Sequence, residues 1–179
     1  MKENNVLNRG YAWLITAGNF FQSLILLVFR LYWGWQFFIT GKGKLLDHEK
    51  IAGFFSSLHI PFPSVNAWFI GGLECFGGLL LIAGLCARPV GLLLTISMTV
   101  AYLTVADDRA KVLNIFHNPD KFLTADPFFF WLTAFLVFAF GPGLISVDAL
   151  LKKFVFNNRL PENAVGTSNR SLVKDKVKA

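Results

Sequence analysis

Long apolar stretches separated by short polar ones dominate the chain, and their lengths give the first prediction. Four apolar stretches, bounded by glycine, proline or charged residues, lie at about 20–40, 66–86, 90–106 and 128–140. Because about 20 helical residues cross the hydrocarbon core of a bilayer, the first two are long enough to span it. The third approaches this length, and the fourth is short because Gly141-Pro142-Gly143 interrupts it. The pattern predicts an all-α fold, a four-helix transmembrane bundle.

The polar connections predict two further helices. In the first loop, apolar residues recur at helical spacing after an acidic first turn: Ile51, Phe54, Phe55 and Leu58. This spacing predicts a short amphipathic helix that lies on the membrane or covers the bundle. After the glycine-proline break, Ser146 can cap a helix over 147–156, in which apolar residues face one way beside Lys152 and Lys153. We expect this C-terminal helix to be interfacial.

Composition agrees with a membrane protein in one domain. Hydrophobic residues make up 54% of the 179 and charged residues only 16%, whereas about a quarter of a soluble domain is charged. The predicted organisation is a polar, interfacial N-terminus at 1–19, a membrane domain at 20–156 and a basic, disordered tail at 157–179.

The distribution of positive charge argues against nucleic acid as a partner. The net charge is +6, but seven of the 17 Lys and Arg follow Leu151, where anionic lipid accounts for them. With four spans, the side that holds both termini carries ten basic residues, against three in each of the other two loops. The positive-inside rule therefore predicts a multi-pass membrane protein with cytoplasmic termini.

Two charged residues, Arg30 and Glu74, lie inside predicted spans, where an unpaired charge costs a few kcal/mol. Each shares a helix face with small or apolar residues: Gly34, Phe37 and Gly41 for Arg30, and Gly71, Gly78 and Leu81 for Glu74. When depth is counted from the predicted span ends, the two charges lie at similar depth, which predicts an ion pair. This pair either fixes helix register or forms the wall of a binding pocket.

The cysteines and histidines give weaker signals. Cys75 and Cys86 are predicted on one helix, roughly 16 Å apart by the helical rise, so they cannot form a disulfide with each other there. The chain has no CxxC motif, which disfavours a dithiol oxidase. All three histidines fall in loops and are expected to be solvated, so no metal site is predicted: His48, His59 and His117.

Several motifs together are similar to those of the DoxX family of small membrane proteins. They are Gly41-x-Gly43-Lys44 after Arg30, the segment 72–84 around Glu74 with Arg88 after it, and Gly141-Pro142-Gly143-x-x-Ser146-x-Asp148. The resemblance covers about residues 24–150 and implies a four-helix membrane bundle. It also implies a link to quinone-dependent redox assemblies, since the family name comes from subunits associated with quinone-linked thiosulfate oxidation.

The site hypothesis combines the charged residues with this resemblance. Glu74 and Arg30 are the candidate catalytic residues, with Glu74 as a proton carrier. A quinone, if one is bound, is expected to contact Arg30, Glu74, Trp33, Gly77 and Gly78. The tryptophan either stacks on the quinone ring or only packs against its neighbours.

The expected role is an accessory or quinone-proximal subunit of a membrane redox assembly. If it takes part in catalysis, it does so within a quinone-linked oxidoreductase. Its expected partners are the lipid bilayer and a soluble or membrane oxidoreductase subunit, and its glycine faces would also allow a homo-oligomer. Two alternatives stay open from the residues alone: a non-enzymatic membrane scaffold, and a small carrier or channel that uses an Arg30 and Glu74 pocket.

Overall fold

The structure, a computed structural model, describes the backbone from Glu3 to Phe156 and the side chains of residues 9–154. Within this part of the chain every regular element is helical, as predicted. The elements in order are α1 (Glu3–Leu46), α2 (His48–Ser57), α3 (Pro63–Ala83), α4 (Ala87–Thr104), α5 (Ala106–Leu113), α6 (Pro119–Leu123), α7 (Pro127–Phe140), α8 (Val147–Leu151) and a π-helical turn (Lys152–Phe156). The predicted tail at 157–179 lies outside the described residues.

The first helix is longer than the span predicted for it. Its 44 residues run without interruption through both ends of the 20–40 range, and no proline occurs within it to break it. At 1.5 Å per residue it is roughly 66 Å long, about twice the thickness of a hydrocarbon core. The predicted division at residue 19 therefore does not coincide with a break in the helix.

A tight connection separates α3 from α4. Gly84 follows α3 with φ of 66°, and Cys86 precedes α4 with φ of 47°, so both lie in the left-handed region. The prediction that one helix carries both cysteines is wrong, because this turn ends the helix before residue 86. Cys75 is buried on α3, whereas Cys86 is exposed.

Among the residues that the structure describes, three helices are long and apolar enough to cross a membrane: α1 from Arg9, α3 and α4. The fourth, α7, has 14 residues and an apolar sequence. Helix α1 packs mainly on α3, and α4 packs mainly on α7. The core between them is formed by buried apolar residues: Phe37, Leu81, Ala87, Val90, Leu94, Met98, Ala134 and Val137. A fourth membrane crossing by α7 stays a prediction.

Glycines set the register between α1 and α3. A Cβ atom added at Gly78 would lie 2.5 Å from the carbonyl oxygen of Gly34, and one added at Gly41 would overlap the backbone of Cys75. The two backbones are thus in contact at both points, as small residues allow in membrane helix pairs. Both predicted stripes, the one with Arg30 and the one with Glu74, are buried against each other.

The shorter helices lie at the two ends of the bundle. Helix α2, none of whose residues is buried, packs on α3. Helices α5 and α6 connect α4 to α7 at the same end, which we call the α2 end. Helix α8 lies at the opposite end, and the Ser146 hydroxyl accepts a hydrogen bond from the Ala149 amide, the cap predicted for it.

Candidate functional site

Arg30 is 1% exposed and donates hydrogen bonds to backbone carbonyls of two other segments. Its Nε and Nη2 atoms bond Leu81 O at 2.8 Å and Ile82 O at 3.0 Å, at the C-terminus of α3. Its Nη1 atom bonds Ile145 O at 3.1 Å and also Pro142 O, in the turn after α7. We call this set of contacts the Arg30 clamp. A cation at a helix C-terminus also interacts favourably with the helix dipole.

Asp148 caps helix α4 at the same end of the bundle. Its two carboxylate oxygens accept hydrogen bonds from the amides of Cys86 and Ala87, each at 2.9 Å, and so cap the start of α4. The amide of Asp148 in turn donates to Gly84 O at 3.0 Å. A carboxylate at a helix N-terminus is favourable for the same electrostatic reason. Three residues of the glycine-proline motif thus have structural roles: Pro142 in the clamp, Asp148 in this cap and Ser146 as the cap of α8.

Glu74, also 1% exposed, forms an ion pair with Lys44. The Lys44 Nζ atom lies 2.5 Å from Oε1 of the carboxylate, and Thr40 Oγ1 lies 3.4 Å from Oε2. The lysine side chain is 29% exposed, so it connects a buried carboxylate with the surface of the bundle.

The predicted ion pair between Arg30 and Glu74 is wrong. Because Gly41 lies against Cys75, Glu74 is level with residue 41 of α1 and not with residue 30. Eleven residues separate those two levels, which corresponds to roughly 16 Å along the helix. The depth count failed because it used span ends that do not coincide with the ends of α1 and α3.

Sequence reasoning missed Lys44 as the partner, although a signal was present. Lys44 follows Arg30 by 14 residues, which at 100° per residue places both within about 40° on one helix face. The stripe of Arg30, Gly34, Phe37 and Gly41 therefore continues to this lysine. A charge three residues after a glycine that contacts α3 was the better candidate partner for Glu74.

The Glu74 and Lys44 pair lies in a cavity of about 600 Å³ between α2, α3 and α4. Most of its wall is apolar, with Ser97 and Asn66 among the few polar groups. The apolar lining comes from all three helices and the turn after α2: Ile51, Phe54, Phe55, Leu58, Ile60, Pro61, Ile70, Met98, Val100, Ala101 and Val105. Phe54 and Val100 are themselves exposed, so the cavity reaches the surface that would face lipid.

A second, smaller cavity of about 190 Å³ meets the first at the same pair. It extends between α1, α4 and the start of α7, and Thr40, Phe130 and Asp126 line it in addition to Glu74 and Lys44. Glu74 therefore lines cavities on two sides of the bundle, although only 1% of it is exposed.

Of the five residues predicted to bind a quinone, only Glu74 lines these cavities. Trp33 stacks on Phe129, with ring centroids 5.2 Å apart and planes at 8°. A Cβ at Gly77 would lie 3.3 Å from Leu94, and Gly78 contacts α1. The tryptophan and both glycines thus pack between helices, and Arg30 forms the clamp.

The histidines that the structure describes do not converge. His48 stacks on Trp68 at 4.8 Å, and its Nε2 atom lies 3.0 Å from Ser64 Oγ. His59 lines the large cavity. Within the described residues, no group of three or more His, Cys, Asp or Glu side chains is placed to hold a metal ion.

Comparison with known proteins identifies the family to which the chain belongs. The DoxX family model matches residues 25–107, which include Arg30, Lys44, Glu74 and Arg88. The chain belongs to the DoxX family. DoxX proteins are small membrane proteins, in agreement with the apolar helices of this one. The residues of the motifs that suggested DoxX thus lie at two ends of the bundle. The Arg30 clamp is at one end, and the Lys44 and Glu74 pair is at the other.

Two relatives of this DoxX protein are similar over most of their own length. It is 32% identical to a Bacillus subtilis protein named "Putative oxidoreductase CatD", over 58% of this chain and 86% of that protein. It is 30% identical to an uncharacterized protein of Haemophilus influenzae, over 72% of this chain and 83% of that protein. No solved structure matches it.

Proposed function

We propose that this DoxX protein is an accessory, quinone-proximal subunit of a redox assembly in the bacterial inner membrane. The quinone head binds in the large cavity, with one of its ring oxygens directed at Lys44 and Glu74. One observation carries the proposal: among the described residues, a buried carboxylate and its lysine partner form the only ion pair in the lining of a mostly apolar cavity of about 600 Å³. The name of the Bacillus subtilis relative gives independent support for a redox role.

The cavity suits a ligand with a flat polar head and an apolar tail. Small-molecule sites are typically about 300–1,000 Å³, mostly apolar, with a few convergent polar groups. We place the quinone ring between Ile70 of α3 and Ala101 of α4, which both line the cavity, with its tail directed past Phe54 and Val100 toward lipid. A water-soluble substrate would gain little from so many aliphatic and aromatic neighbours.

The polar groups in the cavity supply what reduction of a quinone needs. Reduction to a quinol adds two electrons and two protons, and the negative charge develops on the ring oxygens. The Lys44 ammonium group donates a hydrogen bond to one of these oxygens, and Glu74 passes the two protons one at a time, the first to this oxygen and the second, through water in the cavity, to the other. The electrons come from a two-electron donor, such as a reduced flavin, on the partner oxidoreductase.

Arg30 takes no direct part in this proposal. It keeps the ends of α3 and α7 together and so fixes the position of the helix that carries Glu74. Localisation in the inner membrane with cytoplasmic termini, and association with a soluble or membrane oxidoreductase subunit, are further parts of the proposal. Their support is the distribution of basic residues and the name of the relative.

Binding of decylubiquinone to the protein in lipid nanodiscs tests the proposal. Ser97 lines the cavity, whereas its neighbour Ile96 is 52% exposed on the outer surface of α4. We expect Ser97→Phe to fill the cavity and weaken binding at least about tenfold, equivalent to 1.4 kcal/mol. The matched variant Ile96→Phe should bind as the unmodified protein does.

Three results would overturn the proposal. The first is the absence of saturable binding, and co-purification of an oxidoreductase in that case would favour a scaffold. The second is equal binding of decylubiquinone by both phenylalanine variants. The third is solute flux through liposomes that requires Glu74, which would favour a carrier or channel.

A further inference from the structure

The smaller cavity differs from the larger one in its volume and in the residues that it connects. It connects Glu74, on α3, with Asp126, at the start of α7. Thr40 lines it and lies within 3.4 Å of the Glu74 carboxylate. This cavity has about a third of the volume of the larger one, too little for a quinone head and its tail, but enough for several water molecules.

Asp126 is not used as a helix cap, although its position in the sequence suggests one. It precedes Pro127 at the N-cap of α7, yet its side chain makes no cap hydrogen bond. Asp126 is exposed and lines the smaller cavity.

Polar groups of α5 continue outward from Asp126. Lys111 donates a hydrogen bond to Asp108 at 2.8 Å. That bond raises the pKa of Lys111, and nearby negative charges, which include Asp126 and Asp107, raise it further. The charge of Asp126 therefore acts on the polar groups at the α2 end. There, Lys111 and Asp107 also line a polar cavity of about 420 Å³.

We propose that the smaller cavity, when filled with water, is the route by which protons reach Glu74 from the α2 end of the bundle, with Asp126 as the residue at its mouth. This inference rests on the proposed function, because it assigns protons and quinone to different entrances of one site. The quinone enters from lipid through the larger cavity, and each proton passes from solvent past Asp126 and Thr40 to the Glu74 carboxylate. A separate route lets Glu74 be protonated again while the quinone fills the larger cavity.

The first test measures access to the smaller cavity without any quinone. In a background with Cys75→Ala and Cys86→Ser, a small charged methanethiosulfonate reagent is applied to a Thr40→Cys variant in nanodiscs. We expect this position to react at least about tenfold faster than the fully buried position in a Thr133→Cys variant. Adding Asp126→Trp should slow the reaction, whereas adding Lys121→Trp, on exposed α6, should not.

A control separates a blocked route from a disturbed fold. Ser97 lines the larger cavity and not the smaller one, so a Ser97→Cys variant should react at the same rate with and without Asp126→Trp. A Thr40→Cys rate equal to that of Thr133→Cys would overturn the inference. So would slowing of both cysteine positions by Asp126→Trp, because the substitution would then act through the fold.

The second test follows protons directly. Decylubiquinone bound to the protein is reduced at an electrode, which supplies two electrons per quinone while solvent supplies two protons. We expect Asp126→Asn to slow proton-coupled reduction at least about tenfold, and to leave the affinity for decylubiquinone unchanged. Asp120→Asn, a matched change on exposed α6, should have no effect.

The two proposals can fail separately. The proton route is wrong and the quinone site stands if decylubiquinone binds but the Thr40→Cys position is inaccessible. The same holds if decylubiquinone bound to the Asp126→Asn variant is reduced as fast as in the unmodified protein. If Thr40→Cys reacts through the mouth at Asp126 but no quinone binds, the proposed function is wrong, and with it the role of the route in quinone reduction.

Discussion

The ion pair between Lys44 and Glu74 predicts a strong energetic coupling between two helices. Glu74 is 1% exposed, and the Lys44 Nζ atom 2.5 Å away is its only cationic partner among the described residues. Removing one member of a buried pair costs about 3–5 kcal/mol. Since the lysine is 29% exposed, we expect Lys44→Met to cost about 3 kcal/mol, at the lower end of that range.

The coupling is obtained from a double-mutant cycle. Glu74→Gln should cost about 1–2 kcal/mol, less than the lysine change, because the Lys44 ammonium group that remains can reach water. In the double variant neither charge is left without a partner. Its destabilisation should therefore be about 2 kcal/mol less than the sum of the two single changes.

Lys42 provides a matched control on the same helix end. It lies two residues from Lys44 and is exposed, so Lys42→Met and Glu74→Gln should be additive within about 0.5 kcal/mol. Arg30→Lys should also be additive with Glu74→Gln, because the two sites are at different levels of the bundle. Tryptophan fluorescence during unfolding in mixed detergent micelles measures each free energy. Equal coupling of both lysines with Glu74 would refute the pair, and coupling of Arg30 with Glu74 would restore the ion pair that the sequence suggested.

Three further predictions concern stability and are measured as thermal unfolding midpoints in detergent. Gly78→Ala should destabilise the protein by about 1–3 kcal/mol, because the added Cβ meets the backbone of α1. Gly72→Ala should not, because a Cβ at that position has no other atom within 4 Å, and equal midpoints for the two variants would contradict the packing. Asp148→Asn should cost about 1 kcal/mol, since it weakens the cap of α4, and an effect no larger than that of Asp120→Asn would argue against the cap. Thr133→Val should be neutral or stabilising by about 1 kcal/mol, because the Thr133 hydroxyl is buried and has no partner among the described residues; a clear loss of stability would mean that it has one.

The periodicity of the sequence was sufficient to identify which faces of α1 and α3 are buried. Arg30, Gly34 and Phe37 recur at helical spacing, and all are buried in the structure. The same holds for Glu74 and Gly78 on α3. Angular position along a helix follows from residue spacing alone, which explains why these predictions were right.

The partners of the buried charges could not be predicted in the same way. They depend on how far α1 slides along α3, and this is fixed by contacts at Gly41 and Gly78 that only the packed structure defines. The Arg30 clamp was missed for a related reason: its acceptors are backbone carbonyls, exposed where α3 ends, and side-chain patterns carry no information about them. The end of α3 before Cys86 likewise depends on a left-handed turn.

Photolabelling with an azidoquinone in nanodiscs tests the central claim most directly. If the cavity beside Lys44 and Glu74 holds the quinone head, adducts will form on its lining, at Phe55, Ile70 and Ala101. Excess decylubiquinone should suppress them. Adducts that resist competition and lie on lipid-facing residues, such as Phe76 and Leu93, would contradict the account.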